Sequence, residues 1–165
     1  TGEILGLNYW KQYGVDVRGL RFPGLISWRA PAGGGTTDYA VDIFRAAVQY
    51  GHYECFVSED TRLPMMYMDD AIRATERIMQ VDLESLGDSR TGYNIKGISF
   101  TAGELADKIA ERIPGFTCDF VPDFRQKVAE SWPNDVDDQA ARDDWGWKAD
   151  YDLGRMVDEM ISNIS

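Results

Sequence analysis

Short runs of strand-forming residues alternate along this chain with longer stretches whose apolar residues recur at helical spacing, and that alternation admits few folds. The opening segment reads as a helix in which Ile4, Leu5, Leu7, Tyr9, Trp10 and Tyr13 spread over an arc wider than one buried face needs. Val15 to Phe22 is rich in strand formers and ends at Pro23-Gly24. A long loop holding Pro31 and Gly33-Gly34-Gly35 follows, and Thr36 or Thr37 is placed to cap a helix whose Ala40, Ile43, Phe44, Ala47 and Val48 share one face. Cys55-Phe56-Val57 and Met65-Met66-Tyr67-Met68 are expected strands. Ala71, Ala74, Thr75, Ile78 and Met79 then form the buried stripe of a helix whose first turn, where the helix dipole favours anions, carries Asp69-Asp70.

In the second half, Tyr93-Asn94-Ile95 is a predicted strand, and Thr101-Ala102-Gly103-Glu104 is a capping box for a helix through Leu105, Ile109 and Ile113 that Pro114-Gly115 ends. Phe116 to Val121 can form one more strand. Helices are expected from about Pro122 to just before Pro133, from about Asp137 to Asp144, and from Asp152 onward with Leu153, Met156, Val157, Met160 and Ile161 facing inward. The pattern is α/β with a largely parallel sheet, in one domain spanning 1–165, without internal repeats or a flexible linker.

Composition narrows the partners. A net charge of -11 repels a phosphate backbone, so nucleic acid is not an expected partner. The apolar runs are far shorter than a membrane span of roughly 18 to 20 residues, and no charged-then-apolar leader opens the chain, so neither membrane nor secretion is expected. Cys55 and Cys118 are too few for a disulfide framework or a four-thiolate metal site, which favours a reducing compartment, cytoplasm or mitochondrial matrix, and no metal. With His52 as the single histidine, chemistry must run on other groups.

Three features are candidate sites. The run Gly33-Gly34-Gly35-Thr36-Thr37 lacks the endings of a P-loop or a dinucleotide fingerprint, yet it offers a pliable backbone, two hydroxyls and helix N-terminal N–H groups suited to a small carboxylate or phosphate; the alternative is a surface loop with an ordinary Thr cap. Asp69-Asp70 is read as a dipole partner rather than an acid/base pair. From Asp119 to Glu159 there are 12 acidic and 5 basic residues, a solvated surface on the simplest reading. Three of the five tryptophans lie in that stretch: Trp145 and Trp147 are expected to pack against the last two helices, whereas Trp132, between Ser131 and Pro133, can serve either core or cleft.

Longer motifs carry a family resemblance. Tyr13-Gly14-Val15-Asp16-Val17-Arg18, Arg21-Phe22-Pro23-Gly24-Leu25-Ile26-Ser27, the Gly33 to Ala40 run, Thr61-Arg62-Leu63-Pro64-Met65-Met66-Tyr67, Asp123-Phe124-Arg125-Gln126, Ser131-Trp132-Pro133 and Ala141 to Trp147 together resemble the short-chain-dehydrogenase-type L-threonine 3-dehydrogenases, of the extended, nucleotide-sugar-epimerase-like group. The likeness runs nearly end to end and is weakest over about Val81 to Ser89. It implies an α/β fold: the C-terminal half of an extended Rossmann-type short-chain dehydrogenase, made of the end of the parallel sheet and the small substrate-binding lobe. It implies NAD as cofactor and L-threonine as substrate, with an N-terminal dinucleotide-binding lobe and a catalytic Tyr-x-x-x-Lys pair upstream of Thr1. It also implies that Pro23, Gly24 and Leu25 border the nicotinamide, that Thr36 and Thr37 hold the amino acid, that Trp132 closes over it, and that the intact protein is a homodimer. A nucleotide-sugar epimerase or dehydratase, marked by a basic pocket for a diphosphate, and a non-catalytic half-domain that binds a partner are the alternatives.

Overall fold

The structure is a computed structural model that describes residues 2–164. The elements follow in the order α1 (Gly2–Tyr13), β1 (Leu20–Arg21), β2 (Gly24–Ile26), α2 (Tyr39–Tyr50), β3 (His52–Cys55), β4 (Arg62–Tyr67), α3 (Met68–Gln80), a 3-10 turn (Leu83–Ser85), β5 (Tyr93–Asn94), β6 (Ile98–Thr101), α4 (Ala102–Ala110), β7 (Thr117–Phe120), α5 (Arg125–Ala129), α6 (Gln139–Trp145) and α7 (Leu153–Ile164). No described helix is long and apolar enough to cross a membrane.

The strands form three small sheets rather than one broad one. β1 pairs with β5, β3 with β7, and β2 with β4, all in parallel, while β6 runs antiparallel on the other side of β4. β4 divides the hydrophobic interior. Leu63, Met65 and Tyr67 point into one core with α2, α4 and α7, and Met66 points into a second core with α3, β5, Trp145 and Trp147. A strand buried on both faces reads as a continuous apolar run, which is why Leu63 to Tyr67 shows no alternation. Pro64 is tolerated there because β2 takes up pairing only at Met65, so the missing N–H breaks no rung on that side.

Several sequence expectations are corrected. The strand expected over Val15 to Phe22 shrinks to Leu20–Arg21, because its partner Tyr93–Asn94 is itself two residues long and there is nothing further to pair with. The strand expected at Cys55 to Val57 is shifted to His52–Cys55. β6 was not legible in the sequence. Its four residues run directly into the Thr101 cap of α4, so neither alternation nor a preceding turn marks it. The helix expected from about Pro122 to just before Pro133 is only Arg125–Ala129. Trp145 and Trp147 are buried as expected, in a core with Ala141 of α6 but with α3 and β5 in place of α7.

The capping box is present as expected. The Glu104 N–H donates to Thr101 Oγ1 at 3.0 Å, and the Thr101 N–H donates to Glu104 Oε2 at 2.9 Å. Asp70 does more than face a helix dipole: it is fully buried and accepts from the backbone N–H groups of Asp150 and Tyr151 and from Arg73. It ties the start of α3 to the segment entering α7.

Candidate functional site

Between β1 and β2 the chain changes partner. Arg21 accepts the last rung from Ile95 N–H at 3.3 Å, Pro23 has no N–H to continue that ladder, and Gly24 begins pairing with Met65 of β4. In open α/β sheets, ligands bind where neighbouring strands part company in this way. Pro23 and Gly24 are half-buried, Leu25 is 37% exposed, and Ile26 returns to the core.

Glycine is required at this switch. A Cβ on Gly24 would lie 2.5 Å from Met65 Sδ and 2.8 Å from Thr37 Cγ2. Thr37 therefore presses its methyl directly onto the Gly24 backbone, and the two groups of residues assigned by resemblance to the nicotinamide and to the substrate meet in space. Neither Thr36 nor Thr37 spends its hydroxyl on another described residue, and both are half-buried, so two hydroxyls stand beside an exposed apolar side chain, Leu25.

The glycine run is held differently from expectation. Neither threonine caps α2; Asp38 occupies the N-cap position, and its carboxylate turns back to accept from the N–H groups of Gly34 and, at 2.6 Å, Gly35. The N–H groups starting α2 are engaged as well, Ala40 with the Thr37 carbonyl and Val41 and Asp42 with that of Asp38. The backbone anion cradle expected here is already filled by Asp38. What remains for a ligand is the pair of hydroxyls.

Trp132 is 40% exposed and lies in the segment after α5, whose Asn134 carbonyl accepts from Ser99 Oγ on β6. β6 and β2 are opposite edges of the three-stranded sheet, and among the described residues no hydrogen bond or ring contact joins Trp132 to Thr36, Thr37 or Leu25. Trp132 is thus exposed rather than in the core, in a segment bonded to the β6 edge of the sheet.

The other motif residues are structural. Gln126 Oε1 accepts from the Ser58 N–H at 2.9 Å and from Thr61 Oγ1 at 3.0 Å, and Arg125 holds Asp123 while lying 3.2 Å above the Phe56 ring. Arg62, the residue that could have begun a diphosphate pocket, is spent on Glu104 Oε1 at 2.6 Å and the Ser99 carbonyl. His52 is exposed and bonds Thr117 across β3 and β7, away from this switch. Tyr67, at the carboxyl end of β4, is pushed up to about 12 by burial and by the charge of Asp69, and stacks on Tyr151 at 4.4 Å. It is no base near neutral pH. No tyrosine in the sequence is followed by lysine four residues later.

No family model matches the chain. Individual relatives do. The mitochondrial L-threonine 3-dehydrogenase of Bos taurus is 48% identical over 161 residues, covering 97% of this chain and 43% of the relative. An uncharacterized epimerase/dehydratase of Staphylococcus aureus is 45% identical over 165 residues, covering 99% of this chain and 51% of the relative. The GalE-like L-threonine dehydrogenase from Cupriavidus necator, solved in apo and holo forms, superposes with a TM-score of 0.95 at 52% identity, and its apo form is matched over 99% of this chain and 58% of its own. Over nearly its whole length this chain is similar to L-threonine 3-dehydrogenases and to epimerase/dehydratase-like relatives. It spans about half the length of the curated relatives it matches. The expected family resemblance and the α/β, Rossmann-like fold are thereby borne out.

Proposed function

We propose that the chain is the C-terminal half of an NAD-dependent L-threonine 3-dehydrogenase, which oxidises the β-hydroxyl of L-threonine to give 2-amino-3-oxobutyrate. The observation that carries this reading is the contact of Thr37 with Gly24 at the point where the chain changes strand partner. There the chain offers an apolar wall for a flat ring and hydroxyls for a polar substrate within one small region. NAD, when bound, supplies the hydride acceptor. Pro23, Gly24 and Leu25 would hold its nicotinamide side, with Leu25 excluding water and Gly24 permitting close approach. Thr36 and Thr37 would hydrogen-bond the charged ends of the amino acid, and Trp132 would close over it when the segment after α5 moves toward β2.

The base that takes the hydroxyl proton is assigned to the upstream half, in the Tyr-x-x-x-Lys pair, and the partners of this chain are that half and a second copy of the whole protein. The engaged state of Arg62 supports threonine over a nucleotide-diphosphate sugar. The test is NADH formation by the complete protein. Threonine-dependent reduction of NAD, absent from the 165-residue chain alone, is the expected result. A complete protein that leaves threonine untouched and instead epimerises or dehydrates a nucleotide sugar would overturn the reading.

A further inference from the structure

Arg90 carries its charge into the interior without a carboxylate to match it. It is 3% exposed, its Nη2 donates to the Leu83 carbonyl at 3.1 Å, and its Nη1 has no partner among the described residues. The half-buried Trp10 ring lies over one face of the guanidinium, with Cζ 3.7 Å from the ring centre. Burial strips the water from a guanidinium, and one carbonyl and one ring replace only part of it.

Beside Arg90 is a cavity of about 490 Å³, within the range of small-molecule pockets. Its walls are of three kinds. Leu7, Trp10, Leu83 and Leu86 are apolar, Arg90 and Lys11 are cationic, and Glu84 and Asp88 are acidic. The acids share the cavity, yet among the described residues none forms an ion pair with Arg90 or Lys11. The loop is fixed from behind: the Gly87 N–H donates to Tyr93 Oη at 3.0 Å and to Asp144 Oδ2 at 3.1 Å, and the Arg90 carbonyl accepts from the Gly19 N–H at 2.8 Å. That last bond places the cavity at the amino ends of β1 and β5, whereas Pro23 to Leu25 follow the carboxyl end of β1.

We propose that this cavity binds a free α-amino acid with a large apolar side chain, its carboxylate on Arg90 and Lys11, its ammonium on Glu84 and Asp88, and its side chain against Leu7, Leu83 and Leu86. Each charge decides against another class of ligand. A phosphate or a dicarboxylate would set its second negative charge against the acidic rim. An amine without a carboxylate would leave the buried guanidinium unmatched. The carboxylate takes Arg90 Nη1 as the Trp10 ring turns off the guanidinium, so occupancy is coupled to the setting of that ring. None of these residues belongs to the site of the proposed function, and the inference stands without it.

Calorimetry on the complete protein with L-phenylalanine as the probe tests this. Saturable binding is expected, with binding about tenfold or more weaker for 3-phenylpropanoate, which lacks the ammonium, and for 2-phenylethylamine, which lacks the carboxylate. Arg90→Gln should weaken phenylalanine binding by about ten- to over a hundredfold. Because position 90 is buried, the exposed pair Glu84→Gln with Asp88→Asn tests the other end of the ligand without disturbing the interior, and should weaken binding by about tenfold or more. Tryptophan emission should shift on binding, and Trp10→Phe should abolish the shift. Thr37→Val should bind phenylalanine as the unsubstituted protein does, which separates this cavity from the substrate site proposed above. No saturable binding at millimolar phenylalanine, equal binding of 3-phenylpropanoate, or affinity unchanged in both the Arg90 and the rim variants would each overturn the proposal. So would binding that is lost in Thr37→Val and kept in Arg90→Gln.

Discussion

Gly24 and Thr37 show how much one missing methyl decides. A side chain at 24 must displace either Met65, which is completely buried, or the β-branched Thr37, so Gly24→Ala should destabilise the fold by about 1 to 3 kcal/mol, the usual cost of overfilling a packed site. Thermal unfolding of the complete protein checks it, and an unchanged midpoint would contradict the packing described. Thr37→Val keeps the methyl against Gly24 and removes only the hydroxyl, which separates packing from binding. It should leave the melting point and NAD affinity nearly unchanged and lower kcat/KM for threonine by about ten- to over a hundredfold, the loss of one hydrogen bond to a charged group, about 1.5 to 3 kcal/mol. Trp132→Ala should likewise impair threonine use more than NAD binding. Wild-type efficiency in both variants would remove the proposed substrate roles.

At the level of elements, α4 is the segment in which sequence and structure agree most closely. Its cap is local: Thr101 and Glu104 satisfy each other's backbone N–H, and no distant residue is needed to predict it. Thr101→Ala should cost about 1 kcal/mol. Glu104 is held below its ordinary value of 4.5 by the Thr101 N–H first and by Arg62 second. A carboxylate with a depressed folded value stabilises the fold above its unfolded value and loses that contribution as pH falls through the folded one. Denaturant midpoints should therefore decline below about pH 4.5 with a shallower slope in Glu104→Gln. An identical acid limb in the variant would show that this carboxylate does not contribute.

For the whole molecule, the exposed side of α1 is the dominant feature. Ile4 is 76% exposed, Leu5 54% and Tyr13 73%, and only Gly6 of the helix is buried. Leaving large apolar side chains in water forfeits about 1.5 to 3 kcal/mol each, and such a patch associates. The 165-residue chain purified alone is expected to be dimeric or larger at tens of micromolar. Sedimentation velocity decides it, and a compact monomer would contradict the expectation.

The sequence by itself determined what depends on near neighbours: the helical stripes of α2, α4 and α7, that of α3 at Ala71, Ala74 and Ile78 though not at the exposed Thr75 and Met79, the capping box, and the family resemblance through motifs long enough to be specific. It also placed Pro23 just past the end of a strand, because proline stops a ladder wherever it stands, though not Gly24 at the start of β2, which lies in the loop expected there. Tertiary structure decided the rest. Whether Thr36, Thr37 or Asp38 governs the glycine loop depended on which oxygen could reach the Gly34 and Gly35 N–H groups, and the Asp38 carboxylate reaches both. The reach of the strand after Val15 depended on the length of β5, and the buried partners of Asp70 on the path of Asp150 and Tyr151. Periodicity records which face a residue turns inward, but the partner across that face is set only when distant segments pack, and sites made by such partners are legible only in three dimensions.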